Sequence, residues 1–159
     1  MKETRICIIG GGSRLWAIQF FKDLAYNKMT HGTVVLHDID HKAAMNNVAV
    51  GEQTFRVNDS EGRFKFIAED NLEKALEGVD LVIISIEPGN IECRKGDLLL
   101  PEEYGILQSV GDTTGPGGIM RARRALPFFF YFSKSIKKVF SYAWVINYTN
   151  PISLCTAAL

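Results

Sequence analysis

The stretch Arg5-Ile6-Cys7-Ile8-Ile9-Gly10-Gly11-Gly12-Ser13-Arg14-Leu15 limits what this chain can fold into more than any other. A short apolar run breaks into three glycines and then into helical spacing, with Trp16, Phe20 and Leu24 four apart. A strand, a tight turn and a helix start, in that order, make a place for a pyrophosphate. Glycines admit close backbone approach, unpaired N–H groups at the helix start point outward, and the helix dipole favours negative charge. Gly10 and Gly12 fill the first two glycine positions of the dinucleotide fingerprint, whereas the third falls at Leu15. Gly10, Gly11, Gly12, Ser13 and Arg14 are therefore the first candidate cofactor contacts, with a plain glycine turn as the alternative.

Thr33 to Asp38 reads as a second buried strand, β-branched and apolar and ending in an acid. An acid closing the second strand is where a dinucleotide fold binds the adenosine ribose, and it favours NAD over NADP because a 2′-phosphate would be repelled. Asp38 is the first candidate and Asp40 the fallback; a capping or turn aspartate is the other reading. Residues 41 to 57 have helical spacing through Ala44, Val48, Thr54 and Phe55, and Asn58 to Gly62 break it as a turn. Phe64 to Ile67 is a third strand, Asn71 to Glu77 a short helix closed by Gly78, and Val79 to Ile86 a fourth, central strand. Strand and helix alternate from the start, so the expected fold is a Rossmann-like, doubly wound, mainly parallel sheet in three α/β/α layers, with residues 1–159 forming one NAD-binding domain.

Ligands of such sheets collect beyond the carboxyl ends of the strands. Ile86 and Glu87, at the end of the fourth strand, are candidate cofactor contacts, and the loop continues through Pro88-Gly89-Asn90. Arg94 and Lys95 follow and could hold an anion or hydroxyls, although charges of this kind are commonly solvated. A second glycine-rich stretch, Val110 to Ile119, leads into a helix expected to run to about Lys138, kinked or split at Pro127. On it Arg121 and Arg124 share a face, Arg123 lies off that face, and Phe128 to Phe132 are expected to pack inward. Tyr142 to Asn147 forms a fifth strand ending at Tyr148-Thr149-Asn150-Pro151, and Ile152 begins another helix.

Composition removes some classes of partner. Eighteen basic and eighteen acidic residues cancel, and no basic stretch alternates with aromatics, which disfavours nucleic acid and anionic membranes. The longest apolar block, Leu126 to Phe132, is far too short to span a bilayer. Three distant cysteines, Cys7, Cys93 and Cys155, suit reduced thiols in a cytoplasmic protein.

Four motifs in order resemble the N-terminal portion of glycoside hydrolase family 4. They are Gly10-Gly11-Gly12-Ser13, Leu36-His37-Asp38-Ile39-Asp40, Gly111-Asp112-Thr113-Thr114-Gly115-Pro116-Gly117-Gly118, and Asn147-Tyr148-Thr149-Asn150-Pro151. The last two are the specific ones. The resemblance implies an NAD-dependent exception to two-carboxylate glycosidases. In that family bound NAD+ oxidises the sugar C3 hydroxyl, a divalent metal, usually manganese, acidifies the C2 proton, and a tyrosine removes it. The leaving group departs across C1–C2, water adds, and the hydride returns.

By the same resemblance, Arg94 and Asn150 match substrate-contacting residues, and Asp112 matches the acid that raises the basicity of the tyrosine. The family's metal ligands and its tyrosine lie beyond the Asn-Pro motif, so no metal ligand is expected in these 159 residues. Cys155 is expected to be a buried helix residue, and the catalytic and metal-binding domain is expected to lie outside this chain. The Gly-Asp-Thr form resembles the branch acting on unphosphorylated α-glucosides, α-galactosides or α-uronides, and Glu87 to Arg94 most resembles members acting on α-galacturonides. A small-molecule sugar substrate and a homo-oligomeric full-length form follow from the resemblance. Two other readings remain: a malate- or lactate-dehydrogenase-like oxidoreductase, and a non-catalytic NAD-binding module.

Overall fold

Strand and helix alternate as the spacing predicts, in a computed structural model that describes residues 3–139 and 142–159. In chain order the elements are β1 (Thr4–Ile9), α1 (Trp16–Tyr26), β2 (Gly32–His37), α2 (His41–Val57), β3 (Phe64–Ala68), α3 (Leu72–Ala75) and β4 (Leu81–Ile84). They continue with α4 (Ile91–Leu99), a 3-10 turn (Leu100–Tyr104), α5 (Gly115–Val139), β5 (Trp144–Asn147) and α6 (Ile152–Ala157). The five strands form one all-parallel sheet in the order β3-β2-β1-β4-β5, the Rossmann order. Two compact units make up the chain: Met1–Ile86 with Ser135–Ile146, and Glu87–Lys134 with Asn147–Leu159.

In the first unit, burial follows from strand period. Ile6 and Ile8 of β1 and Val34 and Leu36 of β2 point to one face, where they meet Phe21, Ala25, Phe55 and Phe66. Phe66 is edge-on to both Phe21 (5.1 Å between centroids) and Phe55 (5.2 Å). Cys7, Ile9, Val35, Val82 and Ile84 point the other way and are equally buried, so both faces of the sheet are covered. Arg63 closes the end of α1 from the start of β3: its guanidinium donates to the carbonyls of Ala25 (3.2 Å) and Thr30 (2.8 Å), to that of Asn27, and to Ser60 Oγ (3.1 Å). Several carbonyls left over at a helix C-terminus are satisfied by one cation, which also suits the helix dipole.

Two local expectations need correction. The buried stripe of α1 is Ala17, Phe21 and Ala25, one residue on from Trp16, Phe20 and Leu24; Trp16 is 62% exposed, while Phe20 and Leu24 flank the core. Within Phe128 to Phe132, only Phe129 and Phe132 are buried, as a 3.6-residue period requires. The segment after Asn90, to which the sequence assigned no element, is helical, because the Asn90 side chain accepts from the Cys93 N–H and caps α4. Helix α5 continues through Pro127 without splitting.

Burial pushes the Cys7 thiol up from its ordinary value of 9.0 to about 12, against a smaller opposing effect of Arg5. Below pH 9 the folded and unfolded chains hold this proton equally. Above it the unfolded chain releases the proton and the folded chain does not, so stability falls as pH rises from about 9 towards 12, by about 1.4 kcal/mol per unit. Urea unfolding at pH 9, 10 and 11 should therefore show a steeper loss for the native sequence than for Cys7→Ala; parallel slopes would contradict the burial of this thiol as a neutral group.

Candidate functional site

Four backbone donors of the glycine turn are used inside the protein. The N–H groups of Gly10 and Gly11 both donate to the His37 carbonyl (2.9 and 3.0 Å), that of Gly12 donates to Asp38 Oδ2 (2.8 Å), and that of Ser13 donates to the Gly10 carbonyl (3.0 Å). The turn is thus docked onto the end of β2. Gly10 has φ +93°, and a Cβ there would lie 1.9 Å from the Ser85 carbonyl oxygen and 3.3 Å from Ile86 Cγ2. At Gly12 a Cβ would lie 2.8 Å from Ala43 Cβ and 2.9 Å from Asp38 Oδ2. The glycines are required by close packing of the turn on its own neighbours.

Open donors come next in the chain. Helix α1 starts at Trp16 with no acidic residue in its first turn, and the Leu15 side chain makes no cap. The N–H groups of Arg14 and Leu15 meet no acceptor among the described residues, and both residues are exposed. An 11-residue helix with outward-facing donors at its start fits a pyrophosphate. Gly10 to Ser13 spend their N–H groups on the turn itself, and the N–H groups that meet no acceptor among the described residues stand at Arg14 and Leu15.

Two further residues hold this turn. Asn47, on α2 and buried, donates from Nδ2 to the carbonyls of Gly11 (2.8 Å) and Ser13 (2.9 Å). Nothing in the local sequence pattern marks Asn47; the only signal was a polar residue on the buried stripe of α2. Asp38 Oδ1 accepts from the Asp40 N–H (2.9 Å), so each carboxylate oxygen takes one backbone donor and keeps further lone pairs beside the turn. Asp40, the fallback acid, caps α2 by accepting from Ala43 N–H (3.0 Å). The two aspartates thus make different contacts, Asp38 on the glycine turn and Asp40 at the start of α2.

The second unit gathers another set of predicted residues. Arg121, on α5, has a side chain 7% exposed, with Nη1 2.6 Å from Asp112 Oδ2 and Nη2 on the Glu87 carboxylate. The same Asp112 Oδ2 accepts from Asn150 Nδ2 at 3.3 Å, while Thr113 Oγ1 donates to Asn150 Oδ1 at 3.5 Å. Asp112 and Asn150 therefore meet, as does Glu87 through the guanidinium. Asn147 fixes the turn that carries Asn150: its Oδ1 accepts from Thr149 N–H (2.8 Å) and its Nδ2 donates to the Thr149 carbonyl and to Thr156 Oγ1 (3.1 Å each). One turn along α5, Arg124 grips Asp97 of α4 with Nη1 (2.7 Å) and Nη2, and donates from Nε to the Pro88 carbonyl (3.4 Å). The hydrogen bonds that Asp97 accepts hold the Arg124 guanidinium pKa above its ordinary value. Arg94 and Lys95 stand exposed on α4. Cys155 is fully buried on α6, where desolvation raises its thiol pKa against the opposing charge of Arg121. Among the described residues no three His, Cys, Asp or Glu side chains gather as a metal cradle, and no helix is long and apolar enough to cross a membrane.

Comparison with known proteins places this arrangement. A family model described as Family 4 glycosyl hydrolase matches residues 5–159. An α-galacturonidase of Lachnoclostridium phytofermentans is 45% identical over 159 residues, 100% of this chain and 34% of that protein. The crystal structure of lplD from Bacillus subtilis superposes with a TM-score of 0.92 at 44% identity, covering 99% of this chain and 35% of that one. The 6-phospho-β-glucosidase of Thermotoga maritima, solved with manganese, NAD+ and glucose-6-phosphate, gives a TM-score of 0.76 at 29% identity over 94% of this chain and 35% of that one. The chain spans about a third of the length of the relatives it matches.

If the docked turn shapes an anion site, two substitutions that disturb it from different sides should act alike. Gly12→Val forces Asp38 and Ala43 apart, and Asn47→Leu leaves two turn carbonyls without their donor. Calorimetric titration should show at least tenfold weaker NAD binding for both, and Asn47→Leu should unfold about 1–3 kcal/mol more easily. Undiminished affinity in both variants would refute the turn as the cofactor cradle.

Proposed function

Because the chain belongs to family 4 of the glycosyl hydrolases, we propose that it is the nucleotide-holding part of an NAD- and manganese-dependent enzyme that cleaves α-galacturonides. The observation that carries this reading is the identity of 44–48%, over 99–100% of the chain, to proteins named α-galacturonidase, well above the 32% to an α-glucosidase. The site supports it chemically. Glu87 and Asp112 both meet the Arg121 guanidinium, a pairing that suits a hydrolysis in which neither acts as a general acid.

Bound NAD would supply a reversible hydride acceptor for a sugar carbinol. The residues of this chain have the supporting tasks. The Arg14 and Leu15 N–H groups and the α1 dipole receive the pyrophosphate, with Gly10, Gly11, Gly12 and Ser13 shaping the approach and Ile86 lying beside Gly10. Asp38 binds the ribose hydroxyls with the lone pairs it keeps after anchoring Gly12. Asn150, its amide oriented by Asp112 and Thr113, and Arg94 bind sugar hydroxyls or the uronate carboxylate, for which a guanidinium is the better partner. Asp112 acts through its charge on the proton-abstracting group. Manganese has no cradle among the described residues here, so no step is assigned to it on this chain.

The full gene product, assayed with NAD+, Mn2+ and nitrophenyl α-galacturonide, should release nitrophenol without net NADH. In D2O the released sugar should carry one solvent deuterium at C2; retention of the original C2 hydrogen would refute the elimination chemistry, and faster cleavage of the neutral α-galactoside would refute the uronide assignment. A second outcome concerns the cofactor. Asp38→Asn keeps an acceptor for the Gly12 N–H and loses only the charge, so it should weaken NAD about tenfold or more while NADP changes little. Equal losses for both nucleotides would move the ribose contact elsewhere.

A further inference from the structure

Arg121 has no place in the sequence reading beyond a helix face, yet its side chain is the point where the second unit's acids meet. Its partners lie 34 residues before it (Glu87) and nine before it (Asp112), both outside helices, whereas Arg121 itself sits on the 25-residue helix α5. A guanidinium is costly to bury unless it is paired, and an apolar side chain would serve packing as well or better. Its presence therefore points to what it holds. Two carboxylates approach from different loops, and only a planar fork reaches both at once; a lysine ammonium is a single point charge. The Asp112 oxygen that faces Nη1 also receives the Asn150 amide, so the position of one residue fixes the other. The buried Nε and Nη1 make no hydrogen bond among the described residues, Nη1 meeting Asp112 Oδ2 at 2.6 Å as an ion pair alone, so that charge contact and the Nη2 hydrogen bond to Glu87 set the guanidinium's orientation.

We propose that Arg121 is the positioning residue of the sugar site. From a rigid helix it fixes the Asp112 carboxylate and, through it, the Asn150 amide, while Glu87 sets the orientation of the guanidinium. The inference rests on the roles given above to Asp112 and Asn150. It distinguishes itself from packing because the geometry and charge of the fork, and not its volume, are what the site needs.

The test uses the full gene product with NAD+ and Mn2+. Arg121→Met keeps length and apolar bulk, and Arg121→Lys keeps the charge. Arg121→Met should lower kcat for the α-galacturonide about 10²-fold, the loss typical of a displaced functional group, with KM changed less than threefold and the thermal midpoint little altered. Arg121→Lys should fall between Met and the native residue, and Arg121→Ala should regain activity on addition of guanidinium, which Arg121→Met should not. Native kcat in Arg121→Met overturns the proposal, and so does native kcat in Arg121→Lys should the Met variant fail to fold. Failure of the unmutated enzyme to cleave any α-uronide or α-hexoside would instead remove the catalytic reading itself, and this proposal with it.

Discussion

One hydrogen bond, from the Gly12 N–H to the Asp38 carboxylate at 2.8 Å, ties the first turn of the chain to the end of its second strand. The His37 carbonyl takes the two preceding N–H groups, and Asn47 takes the carbonyls on either side of Gly12. With the turn closed in this way, the chain enters α1 at a fixed angle and its next two donors face outward. A buried polar network of this kind is stabilising only when its members are satisfied together. The glycine run is thus a structural clamp, and the N–H groups without an acceptor follow just downstream of it.

The second unit repeats the logic with side chains in place of backbone. Arg121 and Arg124 stand three residues apart on one face of α5, and each takes acids from elsewhere: Glu87 and Asp112 in one case, Asp97 in the other. Asp97 is itself buried on α4, so Arg124 sets the helix that carries Arg94 and Lys95. A composition with as many acids as bases hides this organisation. What matters is which charges are withdrawn from solvent and paired, and which are left to meet a ligand.

Much of the fold could be read from periodicity. Continuous apolar runs at Ile6–Ile9 and Val82–Ile84 could only be strands covered on both faces, and their alternation with helices fixed a parallel sheet. The helical spacing of Trp16, Phe20 and Leu24 located α1 but not its buried stripe, because Ala17, Phe21 and Ala25 have the same spacing and docking of the preceding turn, a tertiary constraint, decides between them. Helix α4 was missed because Gly96 and its charged residues leave no clear apolar stripe, although the Asn90 cap was there to be seen. Motif spacing singled out Asp38, Asp112 and Asn150 as candidates, and the structure brings the last two into contact. Arg121 and Asn47 escaped because their partners lie 9 to 36 residues away, where no local pattern reaches.

On this reading the clamped glycine turn presents the N–H groups of Arg14 and Leu15, just ahead of α1, to a dinucleotide. Titration of the 15N-labelled chain with NAD+, followed residue by residue through its amide resonances, tests this most directly. The largest changes should fall on Arg14, Leu15 and Asp38, with Gly10 and Gly11, already bonded to His37, moving less. Saturation with NAD+ that leaves the Arg14 and Leu15 amides unmoved would contradict it.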